Sequence, residues 1–385
     1  MSDMDEQIPF NRPCLVGGEL ANIEQAIRSG HTASGGPYTD RARAFLTDLL
    51  GARDVLLTTS CTDALEMTAM LLGIGPGDVV VVPSFTFTST ALAFAREGAT
   101  LRFCDIEPTT LGLDPGHACS LIDDRVKAIV TVHYAGVPSA VEKLGSIADG
   151  VGAALIEDNA HGLFATLGGR PLGSFGRMST LSFHETKNFI CGEGGALVLN
   201  HADDVDDAHV MLDKGTNRRQ FLDGLVDKYT WQGLGSSFGM SDILAAFLVA
   251  QLDNADAIRQ QRRRVAVHYR ELLTPQVTEL GFALPHEPAS AEPADHMYYV
   301  LLPHAVSRAA VISHMRERGV TPTFHYVPLH SSPAGKRLTD RDVECPVTDD
   351  VSARLLRLPF YNDLSDRQIE RVVETFVDAV RSTSR

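Results

Sequence analysis

The 385-residue chain has no run of about 18 apolar residues, so no membrane-spanning helix is expected. Its six cysteines (Cys14, Cys61, Cys104, Cys119, Cys191, Cys345) are scattered, with no CxxC pair. Free thiols in a reducing compartment fit better than a disulfide frame. Positive charge is in deficit: 34 Lys and Arg against 49 Asp and Glu leave a net charge of −15. That argues against a nucleic-acid or membrane-surface binder, while a few local cations can still hold an anionic small substrate. Residues 1–7 are acidic and polar rather than a secretory signal, so a cytoplasmic location is expected. No internal repeat or long disordered stretch is visible, and no GxGxxG follows the first strand-like run, which counts against a nicotinamide dehydrogenase.

What is present reads as alternating strands and helices. Residues 20–29 and 41–50 carry helical apolar periods, and Val55 to Thr59 reads as a strand. Ser60-Cys61-Thr62-Asp63 then opens a helix over 64–72. Val79 to Val82, Leu101 to Cys104, Ala128 to Val132 and the run ending in Asp158 are further strands, with a helix over 90–97. Thr180–Phe183 and Ala196–Leu199 follow. Such alternation predicts a largely parallel sheet with right-handed crossovers. Residues 241–252 form an apolar helix and 254–273 a charged amphipathic one. Beyond a composition shift at 285–295, strands are expected at 297–302 and 323–326, with helices at 305–318 and 363–381. Met1 to Phe10 reads as a loose arm. The expected division is a large domain over 1–252 and a smaller α/β domain over 253–385.

Lys187 follows the apolar run Met178 to Phe183 and precedes Cys191-Gly192-Glu193-Gly194-Gly195. A lysine so placed can sit in a cleft and condense with an aldehyde as a Schiff base. Asp158 ends a buried apolar run, at the strand terminus where doubly wound sheets bind ligands. A carboxylate there can keep a pyridine nitrogen protonated, so the pair suits pyridoxal 5′-phosphate. Glu157 is the neighbouring candidate, but adjacent strand residues face opposite sides. The helix start at Cys61 and Thr62 offers backbone N–H groups to a phosphate, and Ser182 can add a hydroxyl. Phe85 or Phe87 can stack on a flat ring, and His161 can bond a ring oxygen. His325, Tyr326 and His330 cluster in the second domain. Proline-broken spacing argues against a metal site there and favours a substrate-facing loop.

These residues, with the strings Ile8-Pro9-Phe10-Asn11, Thr59-Ser60-Cys61-Thr62, Val132-His133-Tyr134-Ala135-Gly136, Ser182 to Asn188, Lys214 to Arg218, Val226 to Trp231, Gly235-Ser236-Ser237 and Phe324 to His330, resemble the DegT/DnrJ/EryC1/StrS family of sugar aminotransferases. The resemblance runs over essentially the whole chain. It is strongest to a branch that aminates a nucleotide-linked 4-keto-6-deoxy sugar. It implies fold type I of the pyridoxal-phosphate (PLP) enzymes, with Lys187 as the Schiff-base lysine and Asp158 as the pyridinium partner. It also implies Cys61, Thr62 and Ser182 at the phosphate and Phe87 stacked on the ring. His161 stands where many relatives have glutamine. Ser237 and Gly239 stand where many have Asn and Arg, which leaves the neighbouring-subunit phosphate contact unassigned.

The implied reaction transfers the amino group of L-glutamate to dTDP-4-keto-6-deoxy-D-glucose, releasing 2-oxoglutarate, in a homodimer or higher oligomer with interfacial active sites. Either C4 configuration of the product is compatible. A related dehydratase branch carries histidine in place of the lysine, so Lys187 favours transamination. A non-catalytic PLP-fold regulator is the remaining alternative.

Overall fold

The computed structural model describes residues 7–383. Its central sheet has seven strands: β1 (Asp54–Thr58), β2 (Val79–Pro83), β3 (Thr100–Cys104), β4 (Val126–Val132), β5 (Ala154–Asp158), β6 (Met178–Ser182) and β7 (Gly195–Leu199). Their order is β1-β7-β6-β5-β4-β2-β3. β7 pairs antiparallel with β1 and β6, and the other neighbours pair in parallel. The valine run of β2 has no polar side chain to offer water, and both its faces are covered. Val80 and Val82 pack with Leu101, Phe103, Val130 and Ile156 on one face. Val79 and Val81 pack with Ile129 and Leu155 on the other.

Helices α1 (Glu19–Arg28), α2 (Pro37–Leu50), α3 (Cys61–Leu71), α4 (Thr88–Arg96), α5 (Val141–Val151) and α6 (Asp242–Asp253) flank this sheet. α3 and α4 cover one face through Ala64, Leu65, Met67 and Phe94. α1, α2 and α6 cover part of the opposite face through Ala26, Leu46 and Ala245. Phe94 is fully buried, so its truncation to alanine costs about 3–5 kcal/mol. The sequence placed the start of α3 three residues late: Ser60 is the N-cap, its Oγ accepting from Asp63 N at 3.0 Å.

A separate core forms around β8 (Tyr299–Leu301) and β9 (Leu355–Arg357), an antiparallel pair. α7 (Ala255–Leu273), α8 (Arg308–Glu317) and α9 (Asp366–Thr383) pack on it. We propose that it marks a second domain over 253–385. Two expectations need correction. Ile8 is no part of a loose arm: it is fully buried in the second core, its N donating to Gly319 O at 2.8 Å and its O accepting from Thr321 N at 3.0 Å. The rest of that expected arm, before residue 7, lies outside the described residues. Residues 323–326 form no strand; only Thr323 pairs, with Arg357. Pro322 and Pro328 bracket the segment, and proline cannot donate to a ladder.

Among the described residues, no helix is long and apolar enough to cross a membrane. No group of three or more His, Cys, Asp or Glu is placed to hold a metal ion.

Candidate active site

Parallel strands bring their carboxyl ends to one edge of a sheet. At that edge lies a cavity of about 460 Å³, walled on its far side by His296, His325, Tyr326 and Arg357. It gathers Cys61, Thr62, Phe87, Asp158, His161, Ser182 and Lys187, together with His325 and Tyr326.

Lys187 sits in a tight loop after β6. Its N donates to His184 O at 2.9 Å, and Glu185 N and Phe183 N donate to Gly192 O (2.9 Å) and Gly194 O (2.8 Å). The glycine cluster permits this closeness. A Cβ at Gly195 would lie 2.4 Å from Cys61 N, and one at Gly194 would lie 2.6 Å from Cys191 Sγ. The lysine loop is therefore pressed against the start of α3. Burial lowers the Lys187 pKa to about 8, against the opposing pull of Cys61 and Asp158.

Asp158 and Glu157 point to opposite sides of β5, as strand geometry demands. Glu157 is fully buried and accepts from the backbone N–H groups of Gly173 (2.8 Å), Phe175 (2.7 Å) and Gly176 (2.6 Å). It also takes His133 Nε2 at 2.9 Å, because Ser139 N donates to Nδ1 of the same ring. Glu157 is thus fully engaged away from the cavity. Asp158 faces it. Burial raises the Asp158 pKa, while the Thr90 hydroxyl, donating to Oδ2 at 2.7 Å, and the Lys187 charge oppose that rise.

At the start of α3, Thr62 Oγ1 lies 2.8 Å from Ser89 Oγ, and both side chains line the cavity. The two phenylalanines separate cleanly. Phe85 is fully buried among Tyr134 and Tyr326, whereas Phe87, the N-cap of α4, is 61 % exposed and borders the cavity. His161 is 7 % exposed, and its Nδ1 finds no hydrogen-bond partner among the described residues.

The cavity's far wall is less as expected. His325 and Tyr326 reach it, stacked on each other with centroids 4.0 Å apart. His330 does not line it. Its Nδ1 lies 2.6 Å from Ser84 Oγ, and the ring borders a separate small cavity with Phe103 and Lys336. The leucine between the loop and His330 is buried, its N bonded to Ser84 O at 3.0 Å, which carries His330 away from the site.

Sequence reasoning missed Arg357. It lines the cavity from β9, with Nη1 2.5 Å from His325 Nε2 and its guanidinium over the Phe10 ring at 4.6 Å. Because Arg357 donates to Nε2, the His325 proton sits on Nδ1, 3.3 Å from the Tyr134 hydroxyl. Burial and the Arg357 charge keep His325 neutral. Arg357 Nε is buried without a hydrogen-bond partner among the described residues. The guanidinium as a whole is half-buried, and among the acidic groups of the described residues none forms an ion pair with it in the cavity. Only its place in an apolar, proline-ended run (Leu355-Leu356-Arg357-Leu358-Pro359) sets it apart in sequence.

The donor set suits pyridoxal 5′-phosphate. A lysine of lowered pKa, a buried carboxylate, a helix N-terminus with hydroxyls beside it, an exposed aromatic face and an orphaned imidazole nitrogen share one cavity, of a size typical for cofactor sites.

Comparison with known proteins agrees. The model of the DegT/DnrJ/EryC1/StrS aminotransferase family matches residues 13–377. The aminotransferase TlmJ from Streptoalloteichus hindustanus superimposes with a TM-score of 0.90 at 28% identity, over 98% of this chain and 100% of that one. DesV of S. venezuelae does so with a TM-score of 0.87 at 27% identity, over 97% and 98% of the two chains. The PLP form of the sugar aminotransferase Spr1654 from Streptococcus pneumoniae shares the fold, with a TM-score of 0.89 at 24% identity over 98% and 100%.

Proposed function

The chain belongs to the DegT/DnrJ/EryC1/StrS aminotransferase family of fold type I PLP-dependent sugar aminotransferases, and within it we propose transfer of the amino group of L-glutamate to a nucleotide-linked 4-keto-6-deoxyhexose, dTDP-4-keto-6-deoxy-D-glucose. The observation that carries this reading is the meeting of Lys187, Asp158 and the N-terminus of α3 on one cavity. The choice of sugar is supported by the residue strings shared with that branch of the family. Lysine rather than histidine at 187 supports transamination over dehydration.

The cofactor is pyridoxal 5′-phosphate. When bound it supplies an aldehyde carbon that carries the amino group, and a ring that withdraws electrons from the carbon losing its proton. The chain's residues do the rest. Lys187 tethers it. With a pKa near 8, the released amine is substantially neutral in mildly alkaline solution. It takes a proton from the glutamate Cα in the first half-reaction and delivers one to sugar C4 in the second. Asp158, its carboxylate bonded by the Thr90 hydroxyl against the pull of burial, faces the ring nitrogen and stabilises its proton. The N–H groups of Cys61 and Thr62, with the Ser182 hydroxyl, receive the phosphate. Phe87 covers one ring face and His161 meets the ring oxygen. Arg357 receives the donor's carboxylate, giving its partnerless Nε a charge-assisted bond. His325 and Tyr326 flank that position.

We further propose a cytoplasmic homodimer or higher homo-oligomer with active sites at its interface. Leu222, Leu225, Trp231 and Leu234 are 65–80 % exposed within one short stretch, an apolar patch of the kind a second copy covers. Light scattering of the purified protein tests this.

The function is tested with cofactor-loaded enzyme. Glutamate alone should bleach the visible band and release 2-oxoglutarate. Subsequent keto sugar should restore the band, and the product's ring couplings by NMR give its C4 configuration. A band that survives excess glutamate and every other amino donor refutes transamination.

A further inference from the structure

Residues 294–296 are held beside the lysine loop by contacts the proposed reaction does not use. Ala294 N donates to Gly136 O at 3.2 Å, and Ala294 O accepts from Asn188 Nδ2 at 2.8 Å. Arg262 of α7, buried, donates from Nε to Asp295 O at 3.0 Å and from Nη2 to His296 O at 2.6 Å. Between these anchors Asp295 has φ = 47°, a left-handed conformation that is costly for a residue with a side chain. Gly136, at φ = 79°, lies beneath. A Cβ there would stand 2.7 Å from both Ala294 Cβ and His161 O. Glycine at 136 therefore lets the segment lie directly against the His161 backbone.

The outcome is a stack of two imidazoles. The His161 and His296 centroids are 4.2 Å apart, with ring planes 14° from parallel. Asn188 Oδ1 lies 2.8 Å from His296 Nδ1. The amide's other end already donates to Ala294, so Oδ1 accepts and His296 Nδ1 carries the proton. Burial pushes both imidazoles well below their ordinary pKa, and Lys187 acts in the same sense on each. Two neutral rings stack without the repulsion two cations would suffer.

We propose that His296, locked by Asn188, Arg262 and the space at Gly136, is a positioning residue for His161: it fixes the plane of the His161 ring so that its unpaired nitrogen meets the ring oxygen of pyridoxal phosphate. The inference rests on the site reading above. Asn188 directly follows Lys187, so one amide ties the lysine loop to the stack.

The test is a pH titration of the visible band in cofactor-loaded enzyme. A neutral donor at the ring oxygen stabilises the form in which the lysine-linked nitrogen has lost its proton, and so lowers the midpoint. His161→Ala should raise it by about half a unit to one unit, the worth of one such hydrogen bond. His296→Ala should raise it in the same direction, and His161→Ala/His296→Ala should match His161→Ala alone. Asn188→Ala, compared with and without His161, makes the same measurement if His296→Ala does not fold. The proposal is overturned if the His296 effect persists undiminished without His161. It is equally overturned if the midpoint ignores either histidine while only the melting temperature falls. Loaded enzyme whose band does not depend on Lys187 would instead refute the site reading.

Discussion

Thr90→Val changes one oxygen for one methyl and isolates how far one hydroxyl opposes the effect of burial on Asp158. Thr90 is fully buried on α4, with Oγ1 2.7 Å from Asp158 Oδ2 and 2.8 Å from Thr86 Oγ1. An ionised carboxylate can only accept, so Thr90 donates to it and Thr86 donates to Thr90. Burial alone pushes the Asp158 pKa upward, and the Thr90 hydroxyl is the largest force against that rise. A hydrogen bond to a charged group contributes about 1.5–3 kcal/mol. At 1.36 kcal/mol per unit, its loss moves the Asp158 pKa up by about 1–2 units.

The acid limb of kcat/KM for the glutamate half-reaction should move up by the same amount, with the alkaline limb in place. Stopped-flow loss of the visible band across the pH range reads it directly. Valine also orphans the buried Thr86 hydroxyl, at a cost of about 1–3 kcal/mol, so thermal melting accompanies the kinetics. Thr90→Ser is the control, keeping the hydroxyl and losing only a methyl; its limb should stay near wild type. If valine leaves the limb unmoved in a folded, loaded enzyme, or serine moves it as far, then Thr90 does not hold the charge on Asp158.

Lys187→Ala should lower turnover by about 10³-fold or more and abolish the peptide label left by borohydride reduction of loaded enzyme; a label elsewhere in the chain refutes the assignment. Arg357→Met should raise KM for glutamate about ten- to hundredfold, the worth of a charge-assisted pair, with a smaller change in kcat; an unchanged KM in steady-state kinetics removes Arg357 from the donor site. Asp54→Asn tests a buried ion cluster remote from the cavity. Burial would raise the Asp54 pKa, but His209 and Arg43, with Oδ1 2.5 Å from Arg43 Nε, hold it well below the usual carboxylate range. Its folded pKa thus lies under the unfolded value of about 3.9, so its stabilisation is present above about pH 4 and is lost as pH falls through the folded value. Urea unfolding should show the variant weakened most near neutrality, with the gap to wild type narrowing below about pH 4; a constant gap refutes the linkage.

The sheet, and the placing of Asp158 and Lys187 on one cavity, were legible because their signals are local. A four-valine strand flanked by turn residues can only be buried, and Asp158 and Lys187 each adjoin such a run. Neighbouring Glu157 and Asp158 were separable because strand side chains alternate, and backbone donors from residues 173–176 occupy Glu157 fully. The far wall was not legible in the same way. Arg357 meets His325 across 32 residues, His296 meets Asn188 across 108, and Ile8 meets Val320 across the chain. No periodicity encodes such pairings. His330 shows the cost of reading spacing alone. Five residues after His325 looks like one cluster, yet a buried leucine between them turns the chain toward Ser84.

The residues missed share a property that links fold to chemistry. Arg357 and His296 both come from the segments packed around β8 and β9, while Lys187, Asp158 and His161 come from the central sheet's edge. Each half alone leaves an unsatisfied group: a guanidinium nitrogen on one side and an imidazole nitrogen on the other. A buried polar atom without a partner is costly, and the same cavity adjoins both. On the proposed reading that cost is offset when one bound assembly reaches across, its ring oxygen at His161 and its carboxylate at Arg357. Binding of cofactor and donor should therefore stabilise the two cores together, and the melting temperature of loaded enzyme should rise further with a carboxylate-bearing analogue that cannot react. That second increment should vanish in Arg357→Met and persist in His161→Ala, because each variant removes a different end of the bridge.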